Sequence, residues 1–236
     1  HPPDTYASPN NPYYWKNRPP HAGYWQQDVH YTITGRMDDR SETLAGDLTL
    51  NYTNNSSDSL GFVYFHLYQE AFVEGSYLDR KENGLRRTTK DSTAYAGTRI
   101  SSISTDGNIL RQEQDNTVLK VWLNAPLAPG KNTVIKIQFT TYWTSDIYRR
   151  MKLFKAWGTK HFDGVHWYPR IAVYDAKFGW DTQQHLGSEF YGDFGTFDVE
   201  LDFPHHYIVD ATGWLQNESE VLPPDLKAKL AITNFK

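Results

Sequence analysis

The sequence predicts an all-β protein, built as a β-sandwich or as a large open antiparallel sheet. Hydrophobic and polar residues alternate with a period of two in several segments, which is typical of strands with one buried face. Aromatic residues make up 15% of the 236 residues, and Tyr and Trp favour half-buried pleated surfaces. Clusters of Asn, Asp, Ser, Gly and Pro between these segments are typical of turns. Only a few short helices are expected.

The N-terminal half predicts three strands, which we interpret as an antiparallel meander. The first two cover residues 25–33 and 44–52, and the third is the strongly apolar run "LGFVYFHLYQEAF". Residues 74–98 are polar and predict a long loop. The buried faces are expected to hold Trp25, Val29, Tyr31 and Ile33 in the first strand, and Leu44, Gly46, Leu48, Leu50 and Tyr52 in the second.

The C-terminal half continues the same pattern and ends in a helix. The turn "NAPLAPGKN" leads into an alternating strand at 132–143. "PDLKAKL" predicts a short helix that begins at Pro224, because proline is favoured at the first helical position. The other expected strands lie near 98–104, 117–123, 196–203 and 206–212.

Composition and charge exclude several classes of partner. The formal net charge is −4 and the isoelectric point is near 6.1, so no basic field is available to bind nucleic acid or an anionic membrane surface. No apolar run approaches the roughly 20 residues of a membrane span. The chain contains no cysteine, which removes disulfides and thiolate ligands.

The stretch "KHFDGVHWYPRIAVYD" at residues 160–175 holds the strongest candidate chemistry. His161, Asp163 and His166 are residue types that bind zinc. On a strand, side chains alternate, so His161 and Asp163 would share one face and His166 the other, although Gly164 could turn the chain. We therefore favour ordinary surface or interface histidines over a metal site here.

Other candidate sites are weaker. Trp167, Tyr168 and Trp180 could form a platform for sugar stacking, but core packing is the favoured interpretation. The acidic, glycine-rich segment "GSEFYGDFGTFD" lacks the spacing of a calcium-binding EF-hand loop and is interpreted as a loop that leads into a strand. The sequence contains no G-x-S-x-G nucleophile motif, no phosphate-binding loop and no H-E-x-x-H zinc motif.

Three segments, in their order and spacing, resemble the N-terminal domain of gluzincin zinc aminopeptidases, the family of aminopeptidase N and leukotriene hydrolase. These segments are "PLAPGKNTVIKIQF", "HFDGVHWYPRIAVYD" and "EFYGDFGTFDVELDFPHHYIVDATG", and the resemblance covers nearly all of residues 24–236. It implies a saddle-shaped antiparallel β-sandwich that packs on a catalytic domain and closes one side of the active-site cleft. The W-Y-P-R, Y-D and G-W-D-T elements look like the exported bacterial branch of the family.

The resemblance also implies roles for individual residues. Many relatives carry Q-F-E about a dozen residues before an acidic residue, and Asp175 matches that acid. His161 then takes the place of the Gln and Asp163 that of the Glu, which in relatives help to hold the α-amino group of the peptide substrate. An alternative register gives this role to His166. No catalytic residue and no metal ligand are expected in this chain, whereas zinc is expected in the full-length enzyme.

The expected organisation follows from these inferences. Residues 1–23 are interpreted as an extended segment or linker that follows an export signal, 24–215 as the β-sandwich domain, and 216–236 as a connector toward a catalytic domain. The expected location is periplasmic, outer-surface or extracellular, and the expected partners are the chain's own catalytic domain and a peptide N-terminus. The alternatives are a stand-alone β-sandwich module that binds carbohydrate or protein, or a secretion-associated structural protein.

Overall fold

The computed structural model describes residues 8–11, 14, 23–82, 95, 97–143, 151–188, 190–230 and 232–234. Two sheets of unequal size share one apolar core, as the sequence predicts for a β-sandwich. The larger has six strands, in the spatial order β14 (Thr196–Asp202), β1 (Asp28–Asp38), β2 (Thr43–Thr53), β8 (Asn132–Tyr142), β4 (Thr98–Thr105) and β5 (Asn108–Ile109).

The smaller sheet has four strands, and two short hairpins accompany the pair of sheets. Its spatial order is β11 (Arg170–Ile171), β3 (Leu60–His66), β7 (Val118–Leu127) and β6 (Gln112–Asp115). The hairpins are formed by β9 (Lys152–Ala156) with β10 (Thr159–Asp163), and by β12 (Tyr174–Asp175) with β13 (Gly179–Trp180). The short helices are α1 (Tyr77–Lys81), α2 (Glu218–Val221) and α3 (Pro224–Leu230), with 3-10 turns at Tyr68–Phe72 and Ile232–Asn234.

The period-two pattern places the core as predicted. In β1 every second residue is buried from Val29 to Met37, and the residues between them face solvent. Strand β8 buries Ile135, Ile137 and Phe139 in the same way. The predicted apolar faces of the first two strands are confirmed from Val29 onward, because the following side chains are at most 5% exposed: Val29, Tyr31, Ile33, Leu44, Leu48, Leu50 and Tyr52. The prediction for Trp25 is wrong, since β1 begins at Asp28 and Trp25 precedes it, half-buried against the ring of Tyr174.

The predicted three-stranded meander is wrong in its third strand. Strands β1 and β2 pair antiparallel, but β3 pairs with β7 and β11 in the smaller sheet. Every residue of β3 is buried or half-buried, so its sequence does not alternate between apolar and polar residues. Without that alternation, the sequence does not indicate which of the two sheets the strand joins. The polar turn at 54–59 moves the chain from one sheet to the other.

Three further predictions have different outcomes. The helix that begins at Pro224 is confirmed. The strand expected at 206–212 is wrong, since these residues lie on the surface and pair with no described strand. The long loop expected at 74–98 lies largely outside the described residues, and its described part contains α1.

The edge strand β14 pairs in parallel with β1, an exception in a mainly antiparallel sheet.

Asn54 holds the turn between the two sheets. Its side-chain amide donates hydrogen bonds to the backbone carbonyls of Leu127 (2.9 Å) and Asp58 (2.7 Å). Its side-chain oxygen accepts hydrogen bonds from the hydroxyl of Ser56 (2.6 Å) and the amide of Gln27 (3.2 Å). The residue is 0% exposed, and its bonds to Leu127, Ser56 and Gln27 are buried, whereas the bond to Asp58 is partly buried.

We expect Asn54→Ala to lower the free energy of unfolding by about 2–4 kcal/mol, because it leaves several buried polar groups without partners. Urea denaturation measures this loss. Asn51→Ala is the matched control, since the Asn51 side chain accepts an exposed bond from Asn132, its one side-chain bond among the described residues, and this change should cost less than about 0.5 kcal/mol. Equal losses for the two variants would contradict the role given to Asn54.

Candidate functional site

The β9–β10 hairpin carries two of the three predicted site residues. His161 lies opposite Phe154 in the hairpin register, and Asp163 lies opposite Lys152. The chain reverses at Trp157 and Gly158, which both have positive φ values of 51° and 76°. Two such residues in succession give the tight turn that suits a twisted hairpin.

The base of the hairpin is fixed to the sandwich, which gives the site a rigid support. Leu153 is 0% exposed, and the ring of Phe162 meets the edge of Trp143 at a centroid distance of 5.2 Å. The indole nitrogen of Trp143 donates a 2.7 Å hydrogen bond to the backbone carbonyl of Asp163. The backbone that carries Asp163 is therefore held in place from the core side.

A second attachment is electrostatic. The ammonium groups of Lys155 and Lys160 lie 2.7 and 2.9 Å from one carboxylate oxygen of Glu42, in the turn that follows β1. Partial burial alone would raise the pKa of Glu42, but hydrogen bonds and charge from the two lysines outweigh it and lower this pKa. The ion pairs connect both strands of the hairpin to the larger sheet.

The structure brings His161 and Asp163 together, as their spacing on a strand predicts. The Nε2 atom of His161 lies 2.9 Å from a carboxylate oxygen of Asp163. Their side chains are 71% and 43% exposed, so both can be reached from solvent. An accessible carboxylate in this position can accept a hydrogen bond from a protonated amine.

His166 lies in a different environment. Its backbone is left-handed, with φ of 57°, and its ring packs on Tyr68 at 4.8 Å and on Phe190 at 4.6 Å. Across the part of the chain that the structure describes, no three His, Asp or Glu side chains converge as ligands for a metal ion. His166 and the pair on β10 thus belong to separate clusters, and the residues present do not fit a zinc site.

A buried polar cluster beside His166 was not predicted from the sequence. The rings of His66 and Tyr68 stack nearly parallel at 5.0 Å, and each residue is at most 3% exposed. Asp181 places a carboxylate oxygen 3.8 Å from Nε2 of His66, beyond hydrogen-bonding distance. Among the described residues, neither the ring nitrogens of His66 nor the hydroxyl of Tyr68 have a hydrogen-bond partner. Nothing in the apolar run "LGFVYFHLY" distinguishes this histidine from its neighbours.

Burial sets the protonation of this cluster. It lowers the pKa of His66, and the charge of Asp181 opposes that shift. Burial also raises the pKa of Tyr68. His66 is therefore held in its neutral form at neutral pH.

The aromatic residues considered as a sugar platform pack inward. Trp167, Tyr168 and Trp180 are partly buried against the core, and Trp180 stacks on Tyr174 at 4.7 Å. This matches the core-packing interpretation of these three residues.

The apolar side chains that do face solvent concentrate near the C-terminal end. Of sixteen large hydrophobic side chains that are exposed among the described residues, ten lie between 191 and 230. Helices α2 and α3 bury no residue. We call the ten residues the C-terminal apolar surface: Tyr191, Phe194, Phe197, Val199, Ile208, Val209, Trp214, Leu215, Val221 and Leu230. No helix among the described residues is long and apolar enough to cross a membrane.

Comparisons with known proteins give a limited result. No family model and no curated protein matches the chain. Among solved structures, the chain is similar to a mutant M1 zinc metallopeptidase from Deinococcus radiodurans bound to a Tyr-Ser-Ala substrate. The two are 20% identical with a TM-score of 0.33, and the match covers 50% of this chain and 21% of the metallopeptidase chain. A two-domain M1 zinc metallopeptidase mutant bound to L-tryptophan gives 20% identity and a TM-score of 0.33, over 51% and 21% of the chains. The match thus spans about a fifth of these enzymes, and the structural relation to them is weak.

We expect acidification to destabilise the protein through His66. The folded pKa lies below the ordinary value of 6.5, so the stability from neutral His66 is complete above about pH 6.5 and is lost as pH falls toward the folded pKa. Urea denaturation between pH 7 and pH 5 should give a smaller loss for His66→Phe than for the wild type. His205→Phe, at an exposed histidine, should behave as the wild type. Parallel pH profiles for wild type and His66→Phe would contradict this account.

Proposed function

We propose that the chain is the non-catalytic N-terminal domain of a zinc metallo-aminopeptidase. In this role it shapes one side of the active-site cleft and supplies an anionic contact for the amino terminus of a peptide. The observation that carries the proposal is the Asp163 carboxylate, which is accessible to solvent on a hairpin whose base is fixed in the core.

The segments that carry the family resemblance support the domain assignment, because they form parts of the sandwich. "HFDGVHWYPRIAVYD" forms β10, β11 and the packed stretch between them, and "TFDVELD" forms β14. The mainly antiparallel two-sheet fold agrees with the architecture that the resemblance implies. The sequence has no H-E-x-x-H motif, so in this proposal the zinc ligands and the general base belong to a separate catalytic domain.

The C-terminal apolar surface supports an interface with that domain. Exposed fractions reach 95% at Phe194 and 91% at Trp214. Large exposed apolar patches mark interaction surfaces in soluble proteins. We propose that the catalytic domain covers this surface.

The chemistry of the β10 pair supports recognition of an amine. A carboxylate forms a charge-assisted hydrogen bond with a protonated α-amino group, and such bonds contribute about 1.5–3 kcal/mol. His161 positions Asp163 through the 2.9 Å contact. It is the weaker ligand for an ammonium, because a neutral imidazole accepts one hydrogen bond and a protonated one repels a cation.

The location of His166 favours Asp163 over the alternative register. Its ring packs among Tyr68, Phe190 and His185, whereas Asp163 faces solvent. We therefore assign the amine contact to Asp163.

Binding of a free amine tests the proposal on this chain. In an NMR titration, leucinamide should shift the backbone amide signals of His161 and Asp163, and N-acetyl-leucinamide should not. Asp163→Asn should weaken the binding of leucinamide at least about tenfold, since it removes a charge-assisted bond. Asp198→Asn is the matched control, because Asp198 forms a similar exposed pair with His30 at 2.7 Å, and it should bind as the wild type. Equal responses to the free and the blocked amide would refute the assignment.

We also expect this chain alone to hydrolyse no aminoacyl arylamide and to retain no stoichiometric zinc after dialysis, because it lacks the ligand helix of the family. Metal analysis and a chromogenic assay measure both. One zinc per chain, or turnover that persists through purification, would place catalytic machinery in this chain.

A further inference from the structure

Asp193 is a buried carboxyl group for which the described part of the chain supplies no hydrogen-bond donor. The residue is 9% exposed, and neither of its carboxylate oxygens reaches solvent or a described donor. Arg170 lies nearby, but its guanidinium donates to the backbone carbonyl of Asp193, at 3.4 Å, and not to the carboxylate. A buried carboxylate in such a setting is costly, whereas the protonated acid is tolerated.

The groups around Asp193 add little that would stabilise its charge. Asp28 at the start of β1 and Asp175 in β12 both oppose ionisation, and Arg170 in β11 favours it. One carboxylate oxygen of Asp175 accepts the backbone amides of Lys177 and Phe178. The other described titratable neighbours are the phenols of Tyr31 in β1, Tyr52 in β2 and Tyr191, two residues before Asp193.

The backbone around Asp193 is pressed tightly against the sandwich. The guanidinium of Arg170 occupies the space that a Cβ atom at Gly192 would need. The side chain and backbone carbonyl of Val29 occupy the corresponding space at Gly195. Position 195 therefore needs glycine for this close approach, because the backbone carbonyl of Val29 cannot move aside, whereas at position 192 only the flexible end of Arg170 is in the way. Residue 195 leads directly into β14, so this contact sets how the edge strand enters the larger sheet.

We propose that Asp193 is a proton-dependent latch on the edge strand β14. While its carboxyl group is protonated, the 192–195 segment stays docked against β1 and Arg170. When the proton is lost, the buried charge favours release of the segment, and β14 loosens with it. Because Phe197 of β14 stacks on Tyr31 at 4.8 Å, loosening uncovers additional aromatic surface on the sandwich.

The protonation range follows from burial. Burial raises the pKa of Asp193 to about 6 from its ordinary value of 3.8, and Asp175 adds to the shift. Because the folded pKa exceeds the unfolded one, the stability contributed by the protonated acid is complete below about pH 3.8. It is lost as the pH rises through about 6.

Asp193→Asn tests the latch, because asparagine keeps the shape of the side chain and cannot ionise. The unfolding equilibrium constant of the wild type, divided by that of the variant at the same pH, should rise about fiftyfold between pH 4 and pH 6.5 and level off above about pH 7. At pH 7, amides of residues 190–202 should exchange with deuterium faster in the wild type than in the variant. Glu200→Gln, an exposed acid on β14, should follow the wild type in both measurements.

A direct titration makes the test independent of the variant's folding. The side-chain carboxyl carbon of Asp193, followed by NMR in the wild type, should titrate near pH 6. A midpoint near 4, or a ratio of unfolding constants that does not change with pH, would overturn the proposal.

Discussion

The hydroxyl of Tyr31 accepts a 3.0 Å hydrogen bond from the backbone amide of Ile171, and this contact joins the two sheets through the core. The ring of Tyr31 also stacks on Phe197 of the edge strand and meets the edge of Tyr168 at 5.6 Å. Burial raises the pKa of Tyr31 far above its ordinary value, so the phenol stays neutral. One side chain thus fixes β1, β11 and β14 relative to one another, and the W-Y-P-R stretch takes its position from the same ring.

This arrangement divides the 160–175 stretch into two parts with different roles. From Trp167 onward it is packing, with Ile171 and Val173 at most 3% exposed in the core. The part before Gly164 belongs to a hairpin that projects from the core and displays His161 and Asp163. A rigid base with an accessible carboxylate suits a binding contact, since little conformational freedom is lost when a ligand arrives.

The alternation of apolar and polar residues predicted the features that depend only on residues within one strand. The buried faces of β1, β2 and β8 and the shared face of His161 and Asp163 follow from the two-residue period. Features that depend on distant contacts were not predictable. An apolar run such as β3 fits either sheet equally well. Likewise, the burial of His66 beside Asp181, and of Asp193 beside Arg170, arises from residues far apart in the chain.

We propose that this sandwich functions against a second, catalytic domain. The C-terminal apolar surface is where that claim can be measured, because side chains such as Phe194 and Trp214 are almost fully exposed here. Hydrogen–deuterium exchange of residues 191–230 should be compared between this chain alone and the same residues within a polypeptide that includes the zinc peptidase domain. The account predicts markedly slower exchange across 191–215 in the longer polypeptide. Identical exchange in both would contradict the claim that this surface is a domain interface.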